Sequence, residues 1–496
     1  MPTASGTLSG VSLPRLCVSA LSGGGGKTLV ALGLTRALVR RGHVVQPFKK
    51  GPDYIDAAWL SQAAGRPASN LDPFMLSVER LQALFVHVAL KAAPSLALLE
   101  GNRGLFDGMD VTGSCSTAEL ARALQCPILL SVDCTKMTRT AAALVRGVLQ
   151  FESGLRFAGV ILNRVGSLRH ESLLRQVLET YTDLRVLGAL PRLDKNPLPE
   201  RHMGIASQGE GLAPGAQATL DRLGQMVADH VDLEVVLEEA NKAPSLNVED
   251  SFWPAMESTG RFVTRPRIGY VRDAALWFYY EENLEALERA GAELVRLSLV
   301  DTQVWPEAHG EEPHGAPPPL DGLYLGGGFP EDWVQVLSAS PHVSALAHWA
   351  DVGMPIYAEC GGFMLLSAGI EHHGRFWPMG NIFPVTAEFC ARPQGLGYVR
   401  GTVTAENPYF PVGMEYVGHE FHYSRCRWHD KMPSFALRLG KGQGMGALSR
   451  EEARDERVDA LLYRNVWASY SHIFAPAMPC WAANFTAAAR RFAMAQ

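Results

Sequence analysis

The first half of the chain alternates short apolar runs with segments of helical spacing, which is the pattern of a parallel α/β sheet. Each apolar run predicts a buried strand, and Thr28–Arg41 predicts a helix after the first of them. The predicted strands are Leu16–Leu21, His43–Phe48, Leu96–Leu99, Ile128–Val132, Gly159–Leu162 and Val186–Ala189. Together they predict a doubly wound parallel sheet.

A second α/β series follows in the other half of the chain. Arg267–Val271, Leu294–Leu297 and Gly322–Leu325 predict strands, and Tyr279–Ala290 predicts a helix between the first two. The repetition of strand and helix predicts a second α/β domain.

The boundary between the two series is polar and lacks periodicity. Residues 241–266 carry Pro, Ser and Asn and predict a linker, so the domains are expected at 1–240 and 267–496. Trp305–Pro319 is rich in Pro, Gly and His and predicts a surface excursion inside the second domain.

Composition narrows the class of protein. The 496 residues include 45 basic and 51 acidic side chains, a net charge of −6 that favours neither a nucleic-acid nor a membrane partner. No signal peptide or spanning segment is evident, so a cytoplasmic location is expected. The 8 cysteines have no C-x-x-C spacing, which argues against a disulfide framework or a zinc site.

A glycine-rich stretch, Ser22–Thr28, lies between the first predicted strand and helix, where a phosphate-binding loop belongs. Its backbone N–H groups and the helix N-terminus favour phosphate oxygens. The usual first glycine of the motif is replaced by Leu21, and a flexible glycine turn is the alternative. The candidate nucleotide-binding residues are Gly24, Gly25, Gly26, Lys27 and Thr28.

Two acidic residues follow strands at the edge where open α/β sheets bind ligands. Asp53 follows the second predicted strand, and Glu100 closes the third. With the Thr28 hydroxyl they predict an Mg²⁺ site against ATP phosphates. Taken singly, each acid could instead be a helix cap or a surface charge.

The second half contains a cysteine on a predicted strand-to-helix turn. Cys360 in Glu-Cys-Gly-Gly fits an exposed thiolate nucleophile, and His472 is the candidate base. A buried structural cysteine is the alternative. Backbone N–H groups of the glycines near the nucleophile would hold an oxyanion, and the candidates are Gly327, Gly328 and Gly361.

These motifs together resemble the cobyrinate a,c-diamide synthase family, which includes the hydrogenobyrinate enzyme and the related nickel-sirohydrochlorin a,c-diamide synthase. The resemblance covers nearly the whole chain. It rests on Gly-Gly-Lys-Thr at 25–28, Lys-Lys-Gly-Pro-Asp-Tyr-Ile-Asp at 49–56, Glu-Gly-Asn-Arg-Gly-Leu-Phe-Asp-Gly at 100–108, Leu-Gly-Gly-Gly-Phe-Pro-Glu at 325–331, Glu-Cys-Gly-Gly at 359–362 and Gly-His-Glu-Phe-His-Tyr-Ser at 418–424.

The resemblance implies a first domain like dethiobiotin synthetase that binds Mg-ATP, and a second that is a class I glutamine amidotransferase. It implies amidation of the c and then the a acetate of a corrin-type tetrapyrrole through acyl phosphates, with release of the first product between rounds. The expected cofactor is Mg²⁺, and ATP and glutamine are the expected co-substrates. A homodimer is expected as the oligomeric state. The positions tied to substrate activation or the order of amidation are Asp53, Tyr54, Ile55, Glu100 and Asp107.

Tyr54, His419 and His422 could contact the acceptor or the interdomain face, or be packed structural residues. The chain also departs from the wider amidotransferase pattern, because Phe474 stands where a glutamate usually follows the catalytic histidine. The resemblance extends to this departure, since the corrinoid branch lacks that glutamate. The group that orients His472 therefore stays unidentified from the sequence.

Three other functions remain open at this point. Cobyric acid synthase shares both halves, although its loop and histidine motifs differ. Nickel-sirohydrochlorin and hydrogenobyrinate enzymes amidate the same two carboxylates. A ParA-like ATPase switch with an inactive amidotransferase domain belongs to a different class, and the presence of Lys27, Glu100, Cys360 and His472 opposes it.

Overall fold

The structure, a computed structural model, describes residues 8–193, 214–248, 251–253, 265–301, 305, 319–429, 433–447 and 457–496. These residues form two compact units, one made of residues up to 253 and the other of residues from 265 onward. Both units mix helices with parallel strands, so the predicted α/β class is confirmed.

The first unit alternates strands and helices. Its strands are β1 (Leu8–Val11), β2 (Arg15–Ala20), β3 (Val45–Lys50), β4 (Ser69–Leu71), β5 (Leu96–Glu100), β6 (Ile128–Asp133), β7 (Phe157–Val165), β8 (Val186–Pro191) and β9 (Leu246–Val248). Its helices are α1 (Lys27–Arg40), α2 (Tyr54–Ala64), α3 (Val78–Ala92), α4 (Thr117–Ala123), α5 (Arg139–Phe151), α6 (Leu168–Tyr181), α7 (Pro214–His230) and α8 (Leu233–Asn241).

A parallel sheet in the order β4-β3-β5-β2-β6-β7-β8 forms the centre of this unit. Strands β2, β3 and β5 are buried along their whole length, as expected for a sheet covered on both faces. Because these three strands are neighbours and parallel, the loops after them meet at one edge of the sheet. The phosphate loop, Asp53 and the end of β5 therefore come together.

The segment predicted as a linker contains structure of the first unit. Within 241–266, strand β9 pairs antiparallel with β1. The buried Arg15 side chain fixes the same segment by donating a 2.5 Å hydrogen bond to the Pro244 carbonyl and one of 2.8 Å to the Leu124 carbonyl. Residues 249–250 and 254–264 lie outside the described part, and the boundaries of the linker remain a prediction.

The second unit has more strands than helices. Its strands are β10 (Arg267–Val271), β11 (Leu276–Phe278), β12 (Glu293–Leu297), β13 (Gly322–Leu325), β14 (Gly327–Gly328), β15 (Ile356–Glu359), β16 (Ser367–His372), β17 (Arg375–Pro378), β18 (Phe383–Phe389), β19 (Gly395–Val403), β20 (Glu415–His422), β21 (Ser424–Trp428), β22 (Phe435–Lys441), β23 (Gly446–Ala447), β24 (Arg457–Tyr463), β25 (Val466–Ser469) and β26 (His472–Ile473). Its α-helices are α9 (Glu281–Arg289), α10 (Val334–Ser338), α11 (Pro341–Asp351), α12 (Gly361–Leu366) and α13 (Cys480–Ala495), and short 3₁₀ helices span Pro330–Trp333 and Ala475–Ala477.

The main sheet of this unit begins parallel, in the order β12-β10-β13-β15-β25, and continues antiparallel as β24-β22-β19-β20-β26. Ser469 ends β25 and His472 begins β26, so strands five steps apart in the sheet are joined by a few residues of chain. Since neighbouring strands lie about 4.8 Å apart, the antiparallel half must curl back on itself. This curl returns β26 toward β15 and the cysteine that follows it.

Of the predicted excursion Trp305–Pro319, residues 306–318 lie outside the described part. Trp305 itself is buried, and its indole Nε1 donates a 2.6 Å hydrogen bond to the Ser298 carbonyl. Trp305, the first residue of the predicted excursion, therefore belongs to the core of the second unit. Among the helices of the described residues, none combines the length and apolar character that crossing a bilayer requires.

Candidate active sites

The glycine-rich loop after β2 adopts the backbone that its sequence suggests. Gly24 and Gly26 have positive φ angles of 75° and 85°, a region that favours glycine, and Gly26 immediately precedes α1. A Cβ at Gly26 would lie 1.8 Å from Asn163 Nδ2, so only glycine fits there. The loop thus leads directly into the N-terminus of α1, where Lys27 and Thr28 begin the helix.

Side chains from β6 and β7 hold the glycine-rich loop by hydrogen bonds to its backbone carbonyls. Ser131 Oγ donates a 2.9 Å hydrogen bond to the Gly25 carbonyl, and Arg164 donates one of 3.1 Å to the Gly24 carbonyl. Arg164 also pairs with Asp133 at the end of β6. No local pattern predicts these two contacts, because they come from strands more than a hundred residues away along the chain.

A buried lysine, Lys49, lies at the centre of the acidic cluster next to the loop. Its Nζ is 3.1 Å from Glu100 Oε1, 2.5 Å from Asp56 Oδ2 and 3.9 Å from Asp53 Oδ2. Thr28 Oγ1 donates a 2.5 Å hydrogen bond to the same Glu100 oxygen. The structure therefore brings Thr28, Asp53 and Glu100 together and adds two residues, Lys49 and Asp56, that the sequence had not singled out.

The electrostatics of this cluster follow from burial and mutual attraction. Burial raises the pKa of Glu100 to about 7 and that of Asp53 to about 6, although Lys49 opposes both shifts. Burial also opposes the charge of Lys49, but the carboxylates of Glu100, Asp56 and Asp53 raise its pKa above the usual value. Burial works against the charge of Asp56 too, yet Lys49 lowers its pKa. The protein thus concentrates negative charge around one buried cation.

One oxygen of this cluster fits a divalent cation. Glu100 Oε2 is buried, and no hydrogen-bond partner accompanies it in the described part of the chain. A buried carboxylate oxygen and a neighbouring threonine hydroxyl are hard ligands of the kind that Mg²⁺ takes, with phosphate and water oxygens completing the shell. No group of three or more His, Cys, Asp or Glu residues forms a self-sufficient metal site within the described ranges.

The other residues predicted for substrate binding surround the same edge. Asp53 caps α2 by accepting the Asp56 N–H at 3.0 Å, so it is a helix cap as well as a neighbour of Lys49. Tyr54 is buried, and Ile55 is partly exposed in the first turn of α2. Asp107 accepts the Gly104 N–H at 2.9 Å and thereby shapes the loop after β5.

In the second unit, Cys360 occupies a strained turn between β15 and α12. Its φ of 49° and ψ of −103° are unusual for a residue with a side chain, and such strain is typical of nucleophile turns. Its N–H donates a 2.7 Å hydrogen bond to the Ser469 carbonyl, which links the turn to β25. Burial raises the pKa of the Cys360 thiol above its usual value, so reaction requires a base nearby.

The predicted oxyanion glycines lie around this turn. A Cβ at Gly361 would approach Gly328 N to 3.0 Å, and one at Gly327 would approach His472 Cε1 to 2.4 Å. Gly327 and Gly328 form β14, which pairs with β11. The missing side chains let the backbone of β14 lie close to both the nucleophile turn and the imidazole.

His472 is fully buried and pairs across the β20–β26 ladder with His419. The two imidazole rings stack with centroids 4.9 Å apart and an interplanar angle of 16°. Burial, reinforced by His472, lowers the pKa of His419 well below its usual value, so His419 is neutral at pH 7. His419 therefore lies beside the candidate base in the second unit.

His422, the third histidine in this region, is held in the fold. Its Nδ1 is 2.8 Å from the Ser424 carbonyl, and its ring stacks on Tyr470 with centroids 3.8 Å apart. Tyr470 in turn shares a 2.8 Å hydrogen bond with Ser424 Oγ. These contacts favour a packed structural role for His422 over contact with the substrate that is amidated. Contact of His422 with that substrate remains a prediction.

Comparison with known proteins agrees with a phosphate-binding site in the first unit and a cysteine nucleophile in the second. Residues 16–205 match the CobQ/CobB/MinD/ParA nucleotide binding domain family, and residues 267–478 match the CobB/CobQ-like glutamine amidotransferase domain family. Fold and sites together define a glutamine-hydrolysing ligase with a nucleotide-binding half.

Full-length relatives identify the family more closely. Proteins named cobyrinate a,c-diamide synthase from Magnetococcus marinus and Dehalococcoides mccartyi are 41% and 36% identical, and the matches cover 95% and 97% of this chain and 96% and 99% of theirs. One of the same name from Picrophilus torridus is 33% identical over 95% of this chain and 97% of its own. The chain belongs to the cobyrinate a,c-diamide synthase family.

Proposed function

We propose that the protein uses ATP and glutamine to convert the a and c acetate carboxylates of cobyrinic acid into primary amides, a step of cobalamin biosynthesis. The observation that carries the proposal is the similarity along nearly the whole chain to proteins of that name. Hydrogenobyrinic acid and nickel-sirohydrochlorin offer the same two carboxylates, so the acceptor is the part of the proposal that most needs a test.

The first unit activates the carboxylate. A carboxylate oxygen attacks the γ-phosphorus of ATP, the bond to ADP breaks, and an acyl phosphate forms. Lys27 and Lys49 offset charge on the transferred phosphoryl group. The phosphate loop binds the other phosphates of ATP. Thr28, Glu100 and Asp53 would hold Mg²⁺, which neutralises phosphate charge when bound. The unpartnered Glu100 oxygen supports this assignment.

The second unit releases ammonia. Cys360 attacks the side-chain amide carbon of glutamine while its thiol proton passes to His472. Backbone N–H groups of Gly328 and Gly361 stabilise the oxyanion, His472 returns the proton to the departing nitrogen, and water hydrolyses the thioester to glutamate. Ammonia then forms the new C–N bond as the C–O bond to phosphate breaks, which yields the amide and inorganic phosphate.

The test is a mass-spectrometric assay with ATP, Mg²⁺ and ¹⁵N-amide glutamine, in which cobyrinic acid, hydrogenobyrinic acid and nickel-sirohydrochlorin are offered in parallel. Incorporation of two labelled nitrogens into cobyrinic acid, through a released monoamide amidated first at c, supports the proposal. Two nitrogens in another acceptor instead would correct the substrate, and none in any acceptor would reject the proposed reaction.

A matched variant separates the two halves of the reaction. Cys360→Ala is expected to lose glutamine-dependent amidation but to keep amidation driven by added ammonium salt, because the first unit is unchanged. The substrates are small molecules. We further propose a homodimer in the cytoplasm, and light scattering during size-exclusion chromatography tests the dimer.

A further inference from the structure

The residue immediately before the nucleophile, Glu359, is a fully buried carboxylate beside the candidate base. Its Oε2 lies 3.5 Å from His472 Nδ1, and neither side chain is exposed to solvent. We propose that Glu359 is the positioning residue that orients His472 for glutamine hydrolysis. The proposal rests on the proposed function, because it assigns a role within the glutaminase half-reaction.

The position two residues after the histidine, where a glutamate is usual, cannot supply this carboxylate. Phe474 is buried, and its ring packs edge-on against Tyr280 with centroids 4.8 Å apart. A phenyl ring offers no acceptor to an imidazole N–H. Glu359 brings a carboxylate to the imidazole from β15, the neighbour of β25 in the sheet, rather than from the segment that follows the histidine.

Glu359 is itself held on both oxygens. Its Oε1 accepts the Ile473 N–H at 3.0 Å, and its Oε2 accepts the Tyr324 hydroxyl at 3.1 Å. Asn283 donates one hydrogen bond of 3.2 Å to Tyr324 Oη and another of 3.1 Å to the Ile473 carbonyl. The carboxylate is therefore fixed relative to the peptide that follows His472, which leaves it little freedom to turn away.

This arrangement selects one tautomer of the imidazole. A carboxylate facing Nδ1 favours a proton on that nitrogen, which leaves the Nε2 lone pair to accept the thiol proton of Cys360. As the imidazolium forms, the negative charge of Glu359 stabilises it. Catalytic hydrogen bonds are often long before substrate binds, so the 3.5 Å separation is compatible with this role.

The groups that face His472 from other elements do not duplicate the carboxylate. His419 of β20 stacks on the ring and is neutral. Phe278 of β11 approaches with its ring centroid 6.3 Å away, and Gly327 of β14 contributes backbone alone. Among these neighbours of the His472 ring, Glu359 is the one that supplies a negative charge.

The test compares Glu359→Gln with Tyr324→Phe in the full-length protein. Glutamine keeps an oxygen for the Ile473 N–H, but its amide N–H₂ faces Nδ1 and favours the wrong tautomer. Because the corresponding change in serine protease triads costs about 10⁴-fold, kcat for glutamine hydrolysis is expected to fall at least about 100-fold with little change in KM. Tyr324→Phe removes one of the hydrogen bonds that hold the carboxylate, but Ile473 still holds its other oxygen and the negative charge still faces Nδ1. For this variant kcat should fall far less than for Glu359→Gln, by about fivefold, as expected for the loss of one hydrogen bond.

Two further readouts distinguish orientation from a structural role. The rate at which iodoacetamide alkylates Cys360 at neutral pH should fall strongly in Glu359→Gln, because the imidazolium that pairs with the thiolate loses its carboxylate, and far less in Tyr324→Phe, which keeps the carboxylate. Ammonium-driven amidation should be unchanged in both variants. Equal losses of glutaminase activity in the two variants, or unchanged alkylation in Glu359→Gln, would overturn the proposal.

If Glu359→Gln does not fold, Glu359→Asp carries the test. Aspartate keeps the charge but withdraws the oxygens by one methylene, so kcat should fall at an unchanged unfolding temperature, and a wild-type kcat would refute the role. A wild-type protein that hydrolyses glutamine but amidates none of the tetrapyrroles would count against the proposed function alone.

Discussion

Lys49 Nζ lies 3.1 Å from Glu100 Oε1, and both side chains are fully buried. Taking two charges out of water costs several kcal/mol per ion, and the arrangement persists because Asp56 and Thr28 add further contacts. Well-packed apolar residues in place of this buried ion pair would give the core equal or greater stability. The position of this pair at the phosphate loop is therefore better explained by charge chemistry than by stability.

Replacement of Lys49 tests that explanation. Lys49→Met should remove ATP-dependent amidation by at least about 100-fold while glutamine hydrolysis in the second unit continues, because the phosphoryl group loses a cation. The carboxylates left behind should also destabilise the first unit by about 3 kcal/mol. Steady-state assays and thermal unfolding measure both effects, with exposed Lys91→Met as the control. Amidation at the wild-type rate would remove Lys49 from the mechanism.

The acidic cluster predicts an unusual dependence of stability on pH. The pKa of Glu100 is raised to about 7, so between its ordinary value and pH 7 the folded protein holds a proton that the unfolded chain has released. The free energy of unfolding should therefore fall as pH rises through this window, by at most about 1.4 kcal/mol per unit for one proton, and level off above it. Asp53, with a pKa of about 6, acts in the same direction.

Glu100→Gln should remove the part of the fall in the free energy of unfolding with rising pH that Glu100 contributes. Urea unfolding of the first unit at pH 5, 6 and 7 gives the comparison, and parallel curves for variant and wild type would contradict the assignment. Mg-ATP should restore stability most at pH 7, where the ionised carboxylate is available to the cation.

Two glycines of the phosphate loop make a matched pair. Gly26→Ala requires a side chain at φ 85° and 1.8 Å from Asn163 Nδ2, whereas a Cβ at Gly23 meets nothing within 4 Å. We expect Gly26→Ala to raise the KM for ATP at least about tenfold and Gly23→Ala to leave it nearly unchanged. Equal effects of the two substitutions would show that the tight approach of Asn163 is unimportant.

Local patterns predicted the fold class and the residues next to each motif. The apolar runs located Gly322–Leu325 as the structure has it, because a fully buried parallel strand leaves a plain apolar signal. They ended the second strand at Phe48, although it continues to Lys50. Two buried lysines at a strand end look like the start of a loop, and the burial of Lys49 is explained only by the acids that surround it in three dimensions.

The antiparallel half of the second unit gave no comparable signal. Its pairing of β20 with β26 joins residues more than fifty positions apart. The role of Glu359 could not be predicted from the sequence for the same reason. Its contact with His472 depends on two strands, β15 and β25, being neighbours in the sheet, which no spacing along the chain reveals.

The backbone of β14 provides a separate test of the second site. A Cβ at Gly327 would lie 2.4 Å from His472 Cε1, so Gly327→Ala should displace the imidazole and lower glutamine-dependent amidation at least about 50-fold. Ammonium-driven amidation should be retained. Gly440 is a suitable control, since a Cβ there meets its nearest neighbour at 3.9 Å. Retention of glutaminase activity in Gly327→Ala would show that His472 has more room than the structure gives it.

Arg15 offers a test of how the segment near residue 244 belongs to the first unit. Its guanidinium donates to the carbonyls of Leu13, Leu124, Gln125 and Pro244, and the side chain is fully buried. Arg15→Met would leave these carbonyls without their donors, and at about 1 kcal/mol for each the first unit should lose about 3–5 kcal/mol.

For a domain of this size, that loss corresponds to a fall of roughly 10 °C in the unfolding temperature. Scanning calorimetry of the full-length protein measures it, with Arg146→Met on the exposed face of α5 as the control. The transition of the second unit should not move, because the acceptors of Arg15 all lie in the first unit. Coincident unfolding of Arg15→Met and wild type would mean that the segment around Pro244 contributes no net stability to the sheet it contacts.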